Sequence, residues 1–321
     1  MTHHPDTSIE PPRASAAATW TPATEGTHDA QERARRLASV VRVVTPAGEA
    51  VRPYLDPLRI AAHVWRHRSL IRQLTVRDLA ARYRGSFLGV LWSLLVPLAM
   101  LGVYTFVFSI VFSAHWGTVE GGRGVVALIL FAGLIPFNFF SEMIAVAPML
   151  VVGNASYVKR VVFPLEVLPV VKALSALFQG LVSTVVLIAA LLVARHGIPL
   201  TVLLLPLAWV PLVLLALGVT YALAALGVLV RDVGQAVGVI LPFLFFLTPI
   251  VYPLEAVPAG FQVVAWMNPL AHVVEDARRT MIFALDPKWR ALAINTTLCG
   301  LIAFVGFLFF MRSKRHFHDA L

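Results

Sequence analysis

The sequence predicts an all-α integral membrane protein with six transmembrane helices, preceded by an amphipathic interface helix and a charged cytoplasmic helix. Of its 321 residues, 59% are hydrophobic and 13% are charged, against roughly 45–50% and about 25% in soluble globular domains. Several apolar runs also exceed the roughly 18 residues that mark a candidate transmembrane helix. The composition therefore excludes a soluble fold.

The residues before the first apolar run divide into three parts. Residues 1–57 are poor in apolar side chains and rich in proline, which predicts a disordered cytoplasmic tail. Residues 58–74 interleave apolar residues with arginines, as in an amphipathic helix at the membrane interface. Thr75 and Asp78 then have capping-box spacing, and Asp78 stands four residues before Arg82. This spacing predicts a charged helix over 75–86 that continues into the membrane without a flexible linker.

Six apolar runs follow, and each is a candidate transmembrane helix. They cover residues 87–112, 125–146, 168–194, 200–230, 235–252 and 291–311. At roughly 1.5 Å per residue, each can cross about 30 Å of hydrocarbon, the fifth only barely. The transmembrane region is therefore residues 87–311, and residues 312–321 form a short C-terminal tail.

The distribution of basic residues predicts the orientation in the membrane. Of the 26 Lys and Arg residues, 19 lie on the side of the two termini and 6 on the opposite side. Because basic residues concentrate in cytoplasmic segments, both termini are expected in the cytoplasm of a cell with this protein in its plasma (inner) membrane. This orientation accounts for the net charge of +9 better than binding to nucleic acid does.

The sequence offers no candidate for catalysis or metal binding. Cys299 is the single cysteine, the histidines lack ligand spacing, and no phosphate-binding loop or hydrolase motif is present. Glu142 and Lys172 are the ionisable residues inside the spans, and both are near the predicted cytoplasmic ends. Ion-driven antiport normally uses carboxylates near the midplane, so transport powered by a partner protein fits better.

Five elements along the chain resemble one family. Residues 74–92, LTVRDLAARYRGSFLGVLW, are similar to the start of the permease subunit of polysaccharide ABC exporters, the O-antigen and teichoic acid export group of type-2 ABC exporters. Further similarities follow in order: YVKRVVFP at 157–164, VRDVGQ at 230–235, TPIVY at 248–252, and WMNPL at 266–270 with Arg278 or Arg279 after it. The tail before Leu58 is longer than the interface segment usual in that family.

The resemblance implies an assembly and a substrate. Two copies of the permease would join two copies of a cytoplasmic ATPase, which would hold ATP and Mg, and this chain would bind no cofactor. Its substrate would be a lipid-linked polysaccharide. The resemblance also implies two short re-entrant helices between spans five and six, and residues 253–288 contain apolar segments too short to span the bilayer.

Two cytoplasmic features are able to contact such an ATPase, the 75–86 helix and the 154–165 loop. The candidate coupling residues are charged or polar. They are Arg77, Asp78, Arg82, Tyr83 and Arg84 in the helix, Lys159 and Arg160 in the loop, and Arg231 and Asp232 in a tight turn between spans four and five. Arg77 and Arg82 are predicted to bind carboxylates of the ATPase directly. The alternative for each arginine is plain anchoring by the positive-inside rule, and Arg231 and Asp232 could merely satisfy their own turn.

Aromatic residues within the spans are candidates for a polysaccharide channel. Sugar rings stack their apolar faces on aromatic rings, so a channel for a long polar polymer should be aromatic and nearly uncharged. The candidates are Tyr104, Phe108, Phe137, Phe140, Phe246 and Tyr252. Helix packing and lipid-interface belts are the alternatives for each of them.

Two other functions compete with polysaccharide export. A type-2 exporter of a small amphiphile, drug or lipid would have a wider, more apolar pathway with fewer aromatics. A membrane scaffold without transport activity would have no use for a stiff charged helix beside the first span.

Overall fold

The computed structural model describes residues 56–111, 116, 124–155, 163–195 and 197–317, and all regular structure in these ranges is helical. The predicted all-α class is confirmed there, whereas the tail predicted over residues 1–57 lies almost entirely outside the described residues. The α-helices of the described ranges are α1 (Pro57–Arg66), α2 (Arg68–Tyr83), α3 (Trp92–Tyr104), α4 (Val125–Val146), α5 (Val167–Arg195), α6 (Leu205–Leu229), α7 (Val233–Leu247), α8 (Ala259–Met267), α9 (Pro269–Met281) and α10 (Trp289–Ser313).

Five helical stretches are long and apolar enough to cross a membrane. They are Gly89–Val111, Val125–Met149, Val167–Ala194, Leu200–Leu229 and Trp289–His316, and they contain α3, α4, α5, α6 and α10. The first of them ends in a π-helical segment, Thr105–Val111. The chain is therefore a multi-pass membrane protein.

The fifth predicted span, residues 235–252, forms a shorter helix than expected. The 15 residues of α7 give a length of roughly 22 Å, less than the about 30 Å of the hydrocarbon core. The helix ends because Thr248 takes an extended conformation (φ −90°, ψ 129°), and a residue before proline, here Pro249, is biased away from helical geometry. A sixth complete span thus stays a prediction.

The structure corrects the predicted start of the charged helix. The helix begins at Arg68 instead of Thr75, and the break from α1 falls at His67. Thr75 is not an N-cap, because its hydroxyl donates a 2.8 Å hydrogen bond to the Ile71 carbonyl oxygen one turn earlier. The capping-box spacing was therefore a misleading signal within a continuous helix.

The predicted direct connection from this helix into the first span is also wrong. After Tyr83 the chain leaves the helix, and Arg84 is extended. Gly85 and Gly89 have φ values of +79° and +50°, a left-handed conformation that glycine adopts at little cost. A turn over residues 84–88 therefore separates α2 from the first span.

The bundle is organised around α4. Residues 126–137 of this helix are all buried, and α4 contacts α5, α6, α7 and α9. α10 runs close along α6, where Gly218 and Gly306 face each other so closely that a Cβ on either would meet the other helix's backbone. α3, in contrast, lies at the edge with most of its side chains exposed.

Candidate functional site

Two ion pairs join α2 to the bundle where α4 ends and α5 begins. Arg82 Nη2 donates to Glu142 Oε1 of α4. Lys172 Nζ of α5 lies 3.0 Å from both carboxylate oxygens of Asp78. Asp78 and Arg82, whose spacing suggested mutual support along one helix, each bind a different span instead. The pairs also compensate Glu142 and Lys172, the two charges that the sequence places inside the spans.

A chain of hydrogen bonds adds a third link beside the ion pairs. The Tyr83 hydroxyl lies 3.2 Å from Gln179 Oε1 of α5, and Gln179 Nε2 donates to the Ser93 carbonyl oxygen of α3 at 2.9 Å. These hydrogen bonds connect α2 to α5, and α5 in turn to the first span. We call the linked side chains the α2 tether: Asp78, Arg82, Tyr83, Glu142, Lys172 and Gln179.

The α2 tether fixes the position of α2 more than it stabilises the fold. Its four charged side chains are between 18% and 30% exposed, so solvent screens both ion pairs. Such pairs contribute about 0–1 kcal/mol each to the free energy of unfolding. Three separate links to α3, α4 and α5 nevertheless fix the position of α2 against three spans at once.

Apolar contacts hold the N-terminal part of α2 against the start of α5. Ile71 is 5% exposed and packs with Val167 and Val171, which are also buried. Burying such side chains stabilises the folded state by roughly 1.5–3 kcal/mol each. The helix is thus held by a small apolar cluster near its N-terminal end and by the α2 tether near its C-terminal end.

The other candidate coupling residues do not belong to the α2 tether. Arg77 and Arg84 have exposed side chains. Arg231 and Asp232 are also exposed, in the tight turn between α6 and α7. Lys159 and Arg160 lie outside the described residues. The structure thus separates the candidates into inward-facing tether residues and outward-facing charges.

A second polar cluster, which the sequence analysis did not identify, lies at the same end. Glu166 has a side chain only 2% exposed, and it lies 2.8 Å from His63 Nε2 of α1 and 2.9 Å from Lys314 Nζ after α10. The Tyr221 hydroxyl of α6 donates to the Glu166 carbonyl oxygen at 2.7 Å. We call these four residues the Glu166 cluster. The sequence signal was a lone acid between Leu165 and Val167, in an otherwise apolar stretch.

The electrostatics of the Glu166 cluster favour the ionised carboxylate. Burial by itself would raise the pKa of Glu166, but the positive charge and hydrogen bond of Lys314, with a further hydrogen bond from His63, outweigh it and hold the pKa below its ordinary value. The cluster therefore holds α1 and the residues after α10 against the start of α5.

The candidate channel aromatics occupy different environments. Phe137 and Phe140 are buried in the bundle, and Phe137 meets Phe245 edge-on with ring centroids 5.2 Å apart. Tyr104 and Phe108 are half-buried neighbours on the first span. Phe246 is 64% exposed, and its carbonyl oxygen accepts a 2.6 Å hydrogen bond from the Tyr252 hydroxyl. A channel role for these residues stays a prediction.

At the opposite end of α4, the buried side chain of Arg278 holds the segment after α7. It is 2% exposed and donates hydrogen bonds to the carbonyl oxygens of Ile129, Pro249 and Ile250, the second at 2.7 Å. Its guanidinium lies 4.6 Å from the ring centroid of Trp116. Because the backbone after Thr248 is not helical, the carbonyl groups of Pro249 and Ile250 have no helical partner and need donors from other parts of the chain. Arg278, rather than Arg279, supplies them.

Two motifs of the resemblance meet beside Arg278. Asn268 Nδ2 donates to Thr248 Oγ1 at 2.9 Å, and Asn268 Oδ1 caps α9 by accepting from the Leu270 amide at 3.0 Å. The TPIVY and WMNPL stretches thus form one structural unit. Among the described residues, no group of three or more His, Cys, Asp or Glu side chains is placed to hold a metal ion.

Comparison with protein families places these elements in one class. Residues 69–282 match the family described as ABC-2 type transporter, which covers most of α2, the first four spans, α7, α8 and α9. The chain belongs to this family of ABC transporter membrane proteins.

Individual relatives share moderate identity over most of their length. The chain is 27% identical over 230 residues to an O-antigen export system permease protein of Myxococcus xanthus, covering 72% of this chain and 80% of the relative. It is 26% identical over 253 residues to an O-antigen export system permease protein of Klebsiella pneumoniae, covering 78% and 95%. A polysialic acid transport protein of Escherichia coli is 24% identical over 213 residues, covering 66% and 81%.

Proposed function

We propose that this chain is the transmembrane permease subunit of an ATP-driven exporter that moves a lipid-linked polysaccharide, such as an O-antigen, outward across the plasma membrane. The observation that carries the proposal is the similarity to O-antigen export permeases over 80% and 95% of their length. The chain itself would carry no catalytic activity, and a separate ATPase subunit would bind ATP and Mg.

The proposed topology has six crossings with both termini in the cytoplasm. The charge distribution supports the orientation. In this arrangement α7 and the segment after it make the fifth crossing, and α8 and α9 are the two re-entrant helices at the outer face. Arg278 supports this placement, because it satisfies backbone carbonyl groups where the chain is not helical, as a break at membrane depth requires.

In the proposed mechanism α2 is the coupling helix. The outward-facing Arg77 and Arg84 contact the ATPase, whereas Arg82 relays motion to α4 through Glu142. Asp78 relays the same motion to α5 through Lys172. A rigid-body shift of α2 then moves several spans together, which is the kind of displacement that opens a path between subunits.

The permease works as a homodimer in this proposal, with the polymer passing between the protomers. Large apolar side chains of the first span and of α7 support this arrangement because one chain leaves them largely uncovered: Val103, Phe106, Ile110, Ile240, Phe243 and Phe246 are all more than half exposed. The exposed aromatic rings among them would meet the sugar faces of the polymer.

A deletion strain of the source organism tests the proposed function. Loss of the permease should remove the polymer from the cell surface and leave it inside the cell, as measured by surface labelling against total extracted polysaccharide. The wild-type gene on a plasmid should restore the surface polymer. Normal surface polysaccharide, with raised sensitivity to small amphiphiles, would instead identify an exporter of small molecules and overturn the proposal.

A further inference from the structure

A cavity of about 400 Å³ lies at the end of the bundle opposite the α2 tether. Its walls come from the segment after α7, from α8 and α9, and from the start of α10, and they include Trp266, Glu255, Glu275 and Lys288. Small-molecule sites in proteins have cavities of roughly 300–1,000 Å³ with an apolar lining and a few placed polar groups. We call this space the outer cavity.

One wall of the outer cavity presents an aromatic ring held in place. Trp266 is 53% exposed, and the ring of His272 meets it edge-on with centroids 6.0 Å apart. His272 Nε2 also lies 2.9 Å from the Trp266 carbonyl oxygen, which fixes the end of α8 against α9. An accessible and oriented indole ring is a surface on which the apolar face of a sugar ring stacks.

The polar lining combines three carboxylates with the donors Arg278 and Lys288. Asp276 Oδ1 accepts a 3.2 Å hydrogen bond from the Lys288 amide. Glu255 and Glu275 have no ion pair or side-chain hydrogen bond within the described ranges. Ionised carboxylates only accept hydrogen bonds, so they match the hydroxyl donors of a polyol.

The charges around the outer cavity select the class of ligand. Three carboxylates outnumber the lysine and arginine of the lining and disfavour an anion. Arg278 already donates to three backbone carbonyl oxygens, and Lys288 Nζ lies 6.0 Å from the Trp266 ring centroid. A bound metal ion is disfavoured because the described residues contain no group of three or more potential ligands. A neutral ring with hydroxyl groups and one apolar face fits both the indole and the carboxylates.

We propose that the outer cavity binds one pyranose unit of the exported polymer. This inference rests on the proposed function for its substrate class, and it adds a binding site within each protomer that is separate from the candidate channel aromatics. Trp266 stacks on the sugar ring, and Glu275 and Glu255 accept hydrogen bonds from its hydroxyl groups.

Saturation-transfer NMR on the full-length protein in nanodiscs tests this site. The probes are the methyl glycosides of glucose, galactose, mannose, rhamnose and N-acetylglucosamine, and at least one should receive saturation from the wild-type protein. Trp266→Ala should weaken its binding by about two- to tenfold, the loss expected for one stacking contact, and Trp266→Phe should retain part of it. Glu275→Gln should weaken binding as well.

The matched controls lie at the same end but outside the cavity lining. Trp289 is 51% exposed, so Trp289→Ala removes a comparable surface indole, and Asp286→Asn removes an exposed carboxylate. Absence of saturation transfer to every glycoside, or equal loss in Trp289→Ala, overturns the inference. The proposed function would still hold in that case if the deletion strain loses its surface polymer. The two experiments therefore test the two proposals independently.

Discussion

Arg82 and Glu142 stand 60 positions apart in the sequence and form an ion pair that joins α2 to α4. The pair turns Arg82 toward the bundle, and the proposed mechanism therefore gives this arginine the role of passing motion inward. The same proposal assigns direct contact with the ATPase to Arg77 and Arg84, whose side chains are exposed.

Reversal of the two charges tests whether the pair transmits motion. We expect Arg82→Glu to lower polymer export by about tenfold, within the range allowed by coupling energies of roughly 1–3 kcal/mol, because two acids then face each other. Adding Glu142→Arg should restore export by re-forming the pair in reverse. Surface polymer and ATPase turnover, measured together, distinguish lost coupling from lost assembly.

Arg72 provides the matched control for the charge reversal. It lies exposed on the same helix and outside the α2 tether, so Arg72→Glu should change export little. Suppose that polymer export falls equally in Arg72→Glu and Arg82→Glu, and that Glu142→Arg does not restore export to the Arg82→Glu variant. Both arginines would then act only through the net charge of α2.

The Glu166 cluster should make the stability of the fold depend on pH in the acid range. The folded-state pKa of Glu166 lies below its ordinary value of 4.5, so its contribution is present above that pH and is lost as the pH falls through the lower folded value. We expect Glu166→Gln to lower the melting temperature at pH 7. The difference from wild type should shrink below about pH 4.5, and a difference that grows with acidification would contradict this account.

The sequence predicted the helical class and most of the spans because both depend on local composition. Long apolar runs identify membrane helices without knowledge of their neighbours, and five of the six predicted runs are helices of spanning length. The remaining run, residues 235–252, forms a helix that ends at Thr248-Pro249, where the residue before a proline leaves helical geometry, so its crossing stays a prediction.

The contacts of α2 could not be predicted in the same way. The spacing of Asp78 and Arg82 fits an intrahelical pair, and only the packing of α2 against α4 and α5 shows that each charge has a partner about 60 to 94 positions later. Glu166 was overlooked for the same reason, and the sequence did not distinguish Arg278 from Arg279. The partners of Glu166 and Arg278 come from five different helices or segments, and no local pattern records such an arrangement.

Cysteine labelling should establish the orientation of the chain. A cysteine at Gly121, between the first two spans, should react with an impermeant maleimide added to intact cells, because this loop is predicted to lie outside. A cysteine at Arg84 should react only after the cells are permeabilised. Background labelling should be low because the one native cysteine, Cys299, is buried. The reverse pattern would invert the proposed topology.

Purified protein without a partner should show no ATP hydrolysis above background. The sequence has no phosphate-binding loop to hold the β- and γ-phosphates of a nucleotide. Phosphate release from the protein in nanodiscs, compared with empty nanodiscs, measures this directly. Activity that co-purifies with the permease through size exclusion and survives a second affinity step would contradict the proposed division of labour.

Arg278 should contribute more to stability than its neighbour Arg279. Arg278→Met leaves the carbonyl groups of Pro249 and Ile250 without their buried donor, and each unsatisfied group costs about 1–3 kcal/mol. A total loss of about 2 kcal/mol or more corresponds to a fall in melting temperature of roughly 4–8 °C. Arg279 is only half-buried and makes one 2.9 Å hydrogen bond, to the Asp286 carbonyl oxygen, so Arg279→Met should shift the melting temperature far less. Thermal unfolding of both variants in the same detergent gives the comparison. Equal shifts would mean that the carbonyl groups after Thr248 find other partners, and that Arg278 does not hold this segment in place.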